Sequence, residues 1–336
     1  MGLVKHKKPR WTNEEEIKFV SLYALHTMYE LEIIFNRSRF SLNKKAAELN
    51  LSKKSRFDTY NASNSNNDYL EFFSSIDSTV VKLNKNIYKY NKNFGVYIID
   101  SQTKNQLTSY QLVNIKKDYA AEDLNLMFFY SNQLTEKELI VKSMIASKLN
   151  KTKKIGARKL SVKNLSNKES KKFFDENHIS GGVNSVRKTL GLCLGEEILA
   201  AASFAKSRFS DHSVELIRFA NKLDITVVGG LSKLLKHSKY EKIMTFADLA
   251  YSTGKGYESI GLKYSHTSKG GYLYTTDGLQ FFHRVTFQKH KIPDYAKSGK
   301  YGITSFDINL TEEENMLNNG YYKIPTLGNL VYLYEL

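Results

Sequence analysis

Residues 219–264 read FANKLDITVVGGLSKLLKHSKYEKIMTFADLAYSTGKGYESIGLKY. A β-branched apolar run ends in a glycine pair, a basic amphipathic run follows, and a second strand-like run comes next. A strand that turns through glycine into a helix and returns as a strand buries its apolar residues only in a layered α/β arrangement. The sequence leaves two uses open for Gly229 and Gly230. They can let backbone N–H groups at the start of the helix cradle a phosphate, or they can let the helix lie close on the sheet. On the first use the contacting residues are Val228, Gly229, Gly230, Leu231 and Ser232, with Ser232 as a further cap or donor.

The rest of the chain is large enough to bury more than one core: 336 residues, 41% of them hydrophobic and 12% aromatic, predict two or three domains. Fifty Lys and Arg against 34 Asp and Glu give a net charge of +16. This makes nucleic acid the leading partner, although the abundant Asn, Lys, Ile and Tyr also fit a generally basic proteome. The single cysteine, Cys193, excludes an internal disulfide and a cysteine-based zinc cluster. Its apolar surroundings, GLCLGEEILAAASF, predict burial. No apolar run is long enough for a membrane span and MGLVKHKKPRW lacks the apolar core of a secretory signal, so a cytoplasmic protein is expected.

Residues 1–54 predict three short helices. Thr12 and Glu15 form a capping box ahead of Ile17, Phe19, Val20 and Tyr23; a second helix covers Met28 to Phe35; a third starts at Ser41 as N-cap and carries Lys44 and Lys45. Trp11, Glu14 to Glu16, Arg37-Ser38 and KKAAELNLSKK resemble a Myb/SANT-type helix-turn-helix module. The resemblance implies double-stranded DNA as partner, faced by Arg37, Arg39, Asn43, Lys44 and Lys45. An ordinary three-helix bundle with a solvated basic face is the alternative. Residues 55–68, rich in Asn and Ser, read as a linker.

Residues 69–150 predict helix, strand (FGVYIID), helix (SYQLVNIKKDYAAED), strand (LNLMFFYS) and a helix capped by Thr135 with Glu138. This layout resembles the Vsr-like (EDxHD) nuclease domains of phage homing endonucleases, which carry a strand Asp, a Trp-His segment and an acidic strand end. Here Gly95 stands at the strand position, the Trp-His segment is missing, and FFYSNQL replaces the acidic end. Glu71 and Asp100 are the nearby carboxylates left, too few to assemble the oxygen ligands of a metal-assisted nuclease. A degenerate scaffold without metal is therefore expected.

Residues 151–295 open with a basic hinge, NKTKKIGARK, and continue as a strand, a helix from about Asn167, two strands around Gly195-Glu196-Glu197, and the strand SVELIRFANKL before the glycine pair. The succession resembles the GNAT acyltransferases. In that fold one strand splays from its neighbour and the following turn presents N–H groups to the pyrophosphate of coenzyme A, so acyl-CoA is the implied cofactor. VVGGLSK is shorter than the family's phosphate motif and lacks its Gln or Arg. Ordered blocks including ENHISG, SFAKSRF and FADLAYSTGKGY are similar to a carboxy-terminal domain of phage homing-endonuclease-like proteins, itself similar to DNA-modifying acyltransferases of the Mom type. Residues 296–336 are expected to pack as a terminal extension.

The expected fold class is thus multidomain α+β: a three-helix Myb-like bundle, a small Vsr-like α/β domain and a GNAT-like domain with a mixed sheet. Candidate catalytic residues are His178 and Asp248, either of which can act as base on an amine, and Tyr257, which the GNAT resemblance places as proton donor to a departing thiolate. For His178 a structural hydrogen bond, and for Tyr257 packing on the sheet, are the alternatives. Asp248 stands just past a strand end, where sites in open α/β sheets lie. Lys206, Arg208 and Arg218 suit phosphate, of cofactor or DNA. The leading function is a phage-type DNA-binding protein whose GNAT-like domain modifies a base or grips DNA. A site-specific homing endonuclease and a non-catalytic DNA-binding regulatory factor are the alternatives.

Overall fold

The computed structural model describes residues 11–23, 28–49, 51, 68–101, 107–207 and 214–335, with backbone alone for 28–30. Three helices, α1 (Asn13–Tyr23), α2 (Met28–Phe35) and α3 (Arg39–Glu48), close over Phe19, Tyr23, Leu31, Phe35, Leu42 and Ala46. The capping box is present, with the Glu15 N–H donating to Thr12 Oγ1 at 3.1 Å and the Thr12 N–H to Glu15 Oε2 at 3.2 Å. The third helix starts earlier than the sequence suggested. Ser38, in extended conformation, caps it by accepting the N–H of Ser41.

The middle unit contains α4 (Leu70–Ser74), β1 (Val81–Lys82), β2 (Ile87–Asn91), β3 (Phe94–Ile99), α5 (Ser109–Ala120), β4 (Asn125–Tyr130), α6 (Gln133–Glu136) and α7 (Glu138–Lys148). Its sheet has the order β1-β2-β3-β4, with β3 and β4 parallel across the α5 connection. The expected long first helix is a single turn, because the Asp77–Thr79 turn and β-branched Val80-Val81 lead into a hairpin. Thr135 does not cap α7; its hydroxyl bonds the Asn132 carbonyl inside α6, and Lys137 precedes α7 without a side-chain cap. A Cβ on Gly95 would lie 2.9 Å from the Tyr88 carbonyl oxygen and 3.2 Å from Leu126. Close strand packing accounts for that glycine.

The remaining elements are β5 (Lys153–Gly156), β6 (Ser161–Asn164), α8 (Asn167–Asn177), β7 (Lys188–Leu194), β8 (Glu197–Lys206), β9 (Val214–Asn221), β10 (Ile225–Val228), α9 (Gly230–Ser238), β11 (Lys242–Asp248), α10 (Lys255–Glu258), β12 (Lys263–Ser268), β13 (Tyr272–Thr275), β14 (Phe282–His283), α11 (Ile292–Ser298), α12 (Glu312–Asn318), β15 (Tyr322–Pro325) and β16 (Asn329–Glu335). Seven strands form one mixed sheet in the order β12-β16-β11-β9-β8-β7-β6. The alanine run of β8 serves both faces. Ala200 and Ala202 pack with Leu234 and Leu235 of α9, and Ala201 with Phe173 and Phe174 of α8. Small side chains on the central strand let a helix approach each side.

Two segments differ from expectation. The basic stretch around Lys153 is no hinge: β5 pairs in parallel with β10. The carboxy-terminal stretch is no outlying extension, because β16 inserts between β11 and β12, antiparallel to both. The alternating VYLYE pattern fits a strand buried within a sheet. Cys193 is buried, as read.

The middle and carboxy-terminal units share a core in which Leu112, Leu126 and Phe128 meet Ala250, Ile324 and Leu327. Polar bonds also cross: Tyr130 Oη donates to the Pro325 carbonyl at 2.8 Å and Tyr322 Oη to that of Ser101 at 2.9 Å.

Candidate functional site

The site begins where the large sheet comes apart. β9 and β11 pair in parallel for three residues, Val214–Leu216 against Ile243–Thr245. Beyond that β9 continues to Asn221 along β8, and β11 to Asp248 along β16, with no pairing between the two. Side chains take over main-chain acceptors at the fork. Thr245 Oγ1 donates to the Leu216 carbonyl and an Arg218 Nη1 to the Ile217 carbonyl, each at 3.0 Å. An unpaired strand edge inside a sheet offers N–H and C=O groups to whatever lies between the strands.

The fork opens into a cleft of about 980 Å³. Residues 215–223 and 246–248 form one side, α7 of the middle unit contributes Ser143, Met144, Ser147 and Lys148, and His178 to Ser180 border it. Of the residues the sequence singled out, Asp248, Tyr257, His178, Lys206 and Arg218 all line this cleft. Arg208 lies outside the described residues.

Asp248 ends β11 with its side chain open to the cleft. One carboxylate oxygen accepts the Ala250 N–H at 2.8 Å. The surrounding walls raise its pKa above the ordinary carboxylate value, opposed by that N–H and by the charge of Lys116. A carboxylate that is reachable and poorly solvated has the proton affinity of a general base.

Tyr257, partly buried, stacks on Tyr332 with ring centroids 5.4 Å apart. Burial raises its pKa, so it carries its proton across the physiological range. Tyr257 therefore both packs on the sheet and lines the cleft.

His178 follows α8 directly, and its Nδ1 accepts the Ser180 N–H at 3.1 Å. Burial, helped by the charge of Arg218, brings its pKa down to about 3. The ring is thus neutral and, with Nδ1 an acceptor, carries its hydrogen on Nε2. The lowered pKa and the Ser180 hydrogen bond favour the structural role over the base for His178. Arg218 is likewise engaged, its Nε donating to the Gly181 carbonyl at 3.1 Å, whereas Lys206 is exposed at the end of β8.

The glycine pair stands apart. None of Val228, Gly229, Gly230, Leu231 and Ser232 lines the cleft. Gly229, with φ of 75°, makes the left-handed turn into α9, a conformation glycine adopts without cost. A Cβ on Gly230 would sit 3.1 Å from Val227 and 3.4 Å from Leu192. Close helix-on-sheet packing is one reason for a glycine at position 230.

In the amino-terminal helices, Arg37 is buried, bonds Glu15 at 2.8 Å and lies 4.5 Å over the Trp11 ring. Lys45 pairs with Glu16 at 2.9 Å and Glu48 at 2.7 Å. Both thus pair with carboxylates inside the bundle. Arg39 bridges Glu32 and Asp118 of α5, while Asn43 and Lys44 are exposed. Among the described residues no group of three or more His, Cys, Asp or Glu is placed to hold a metal, and no helix is long and apolar enough to cross a membrane.

Sequence reasoning missed the middle unit's share of the cleft, Lys148 on α7 among it, and also missed Tyr251 of the loop after β11. Gln133 bonds Tyr251 Oη at 3.0 Å across the two units. The amphipathic period of α7 gave the only local signal, and it marks a buried face without naming what covers it.

No protein family matches the chain, and no curated protein does. Similar solved structures include an acetyltransferase of Bacillus subtilis in complex with CoA, at 13% identity over 53% of this chain and 99% of that one, TM-score 0.30. Another is a GNAT family acetyltransferase from Elizabethkingia anophelis with acetyl-CoA bound, at 11% identity over the same 53% and 99%, TM-score 0.27. Superpositions this loose leave the site to be understood from its own strands and side chains.

Proposed function

We propose that the carboxy-terminal unit is an acyltransferase that takes a thioester donor of the acyl-CoA type between β9 and β11 and passes the acyl group to an amine in the cleft. The observation that carries this reading is the fork at Leu216 and Thr245, which leaves two strand edges unpaired beside Asp248. Such edges suit an extended arm with amide groups of its own. The glycine turn into α9 does not line this cleft, and no role in donor binding is proposed for it.

A donor of this kind supplies an acyl group at a thioester, which an amine displaces. Asp248 accepts the proton that the amine loses as the new N–C bond forms. The Nε2–H of His178 donates to negative charge developing in the cleft. Tyr257 supplies the proton taken up by sulfur as the C–S bond breaks. The raised pKa values of Asp248 and Tyr257 and the lowered one of His178 support these assignments.

DNA is the proposed amine-bearing partner, its base amino group being the acceptor. The net charge of +16 and the exposed Asn43 and Lys44 on α3 support it, through phosphate contacts that position the duplex. The test is incubation of the pure protein with acetyl-CoA and duplex DNA, followed by mass spectrometry of the nucleosides. Acetylated nucleoside supports the reading. Turnover of free amines alone would remove DNA as acceptor, and no turnover with either would remove acyl transfer.

A further inference from the structure

We propose that the middle unit forms half of the active site and that Lys116 on α5 is a positioning residue that keeps Asp248 in its proton-accepting form. The role of Asp248 as base rests on the acyl-transfer reading; the coupling of the two side chains does not.

A continuous set of contacts supports it. Asp248 accepts the Ala250 N–H at 2.8 Å, and the Ala250 carbonyl in turn accepts the Phe128 N–H of β4 at 2.8 Å. Two residues along the same strand, the Leu126 carbonyl accepts from Lys116 Nζ at 2.6 Å. The ammonium lies 5.5 Å from the centre of the Phe128 ring. One edge of β4 therefore holds both the loop that presents Asp248 and the cation that acts on it. Among the described residues Lys116 has no carboxylate within ion-pair distance, so its charge is not spent elsewhere.

Burial costs both charged forms. The Lys116 pKa falls to about 8 through burial, Asp248 opposing the fall and Lys148 adding to it. The Asp248 pKa rises through burial, with Lys116 opposing the rise. Lys148 of α7, Tyr130 of β4, Tyr251 of the loop, Tyr257 of α10, His178, Lys206 of β8, Glu215 and Arg218 of β9, and Lys222 are the other titratable or charged groups around the cleft. Lys116 is the one whose charge lowers the Asp248 pKa. Without it, a poorly solvated carboxylate keeps its proton to higher pH.

The experiment is carbon-13 NMR titration of aspartate carboxyls in the full chain, with Asp248 assigned by its loss in Asp248→Asn. Lys116→Met should move the Asp248 midpoint upward by about 1 pH unit or more, and Lys116→Arg should leave it near the wild-type value. An unmoved midpoint in folded Lys116→Met overturns the proposal. If Lys116→Met does not fold, the reciprocal measurement decides. The Lys116 midpoint should fall in Asp248→Asn, and an unchanged one overturns the proposal equally. Because these titrations need no turnover, an inactive protein that shows the coupling would count against acyl transfer and not against Lys116.

Discussion

Past Leu216, where β9 leaves β11, main-chain groups face a cleft with a reachable carboxylate, a buried phenol and a neutral imidazole around it. Where β10 turns into α9, the helix start lies against Val227 and Leu192 with no room behind Gly230 for a methyl group at ordinary contact. Both are strand ends in an α/β layer, yet one is an opening and the other a joint. Glycine marks the joint, because close packing demands a missing side chain. The opening is marked by groups whose ionisation the surroundings have altered.

The largest effect that separates the two regions is expected from Asp248→Asn. It removes the base while keeping the Ala250 hydrogen bond possible, and should lower kcat by about 10²–10⁴-fold with little change in melting temperature. Steady-state kinetics beside a melting curve measures both, and retained activity would move catalysis away from the cleft.

Gly230→Val should act on the other quantity. It overpacks the joint and should cost about 1–3 kcal/mol of stability, while a donor still binds whatever protein remains folded. Loss of donor binding at unchanged stability would restore the phosphate cradle.

The smallest effect concerns pH. His178 has its pKa depressed to about 3 from an ordinary 6.5, so its neutral form favours the fold. That contribution is complete above pH 6.5 and is lost as pH falls toward 3. His178→Gln should therefore flatten the acid side of the stability profile measured by urea unfolding. An unchanged acid slope would mean that the ring is solvated.

Much of the element order was legible. Short apolar runs gave β3, β4, β7, β8 and β9, and the Thr12–Glu15 box gave α1, because these signals are local. The place of Asp248 at the end of a strand was legible for the same reason. What escaped depends on distant partners. That β16 inserts beside β11, that Arg37 is spent on Glu15 and Trp11, and that Lys116 reaches the Asp248 loop are tertiary facts without a local pattern. For Gly230 the sequence left both uses open, because a glycine required for packing and a glycine required for a ligand leave the same letter in the sequence.

Amide hydrogen exchange, compared residue by residue with and without acetyl-CoA, tests the central claim most directly. The account predicts new protection at residues 217–221 and 246–248 and no change at 229–232. Protection confined to 229–232, with the strand edges of the fork exchanging as before, would contradict it.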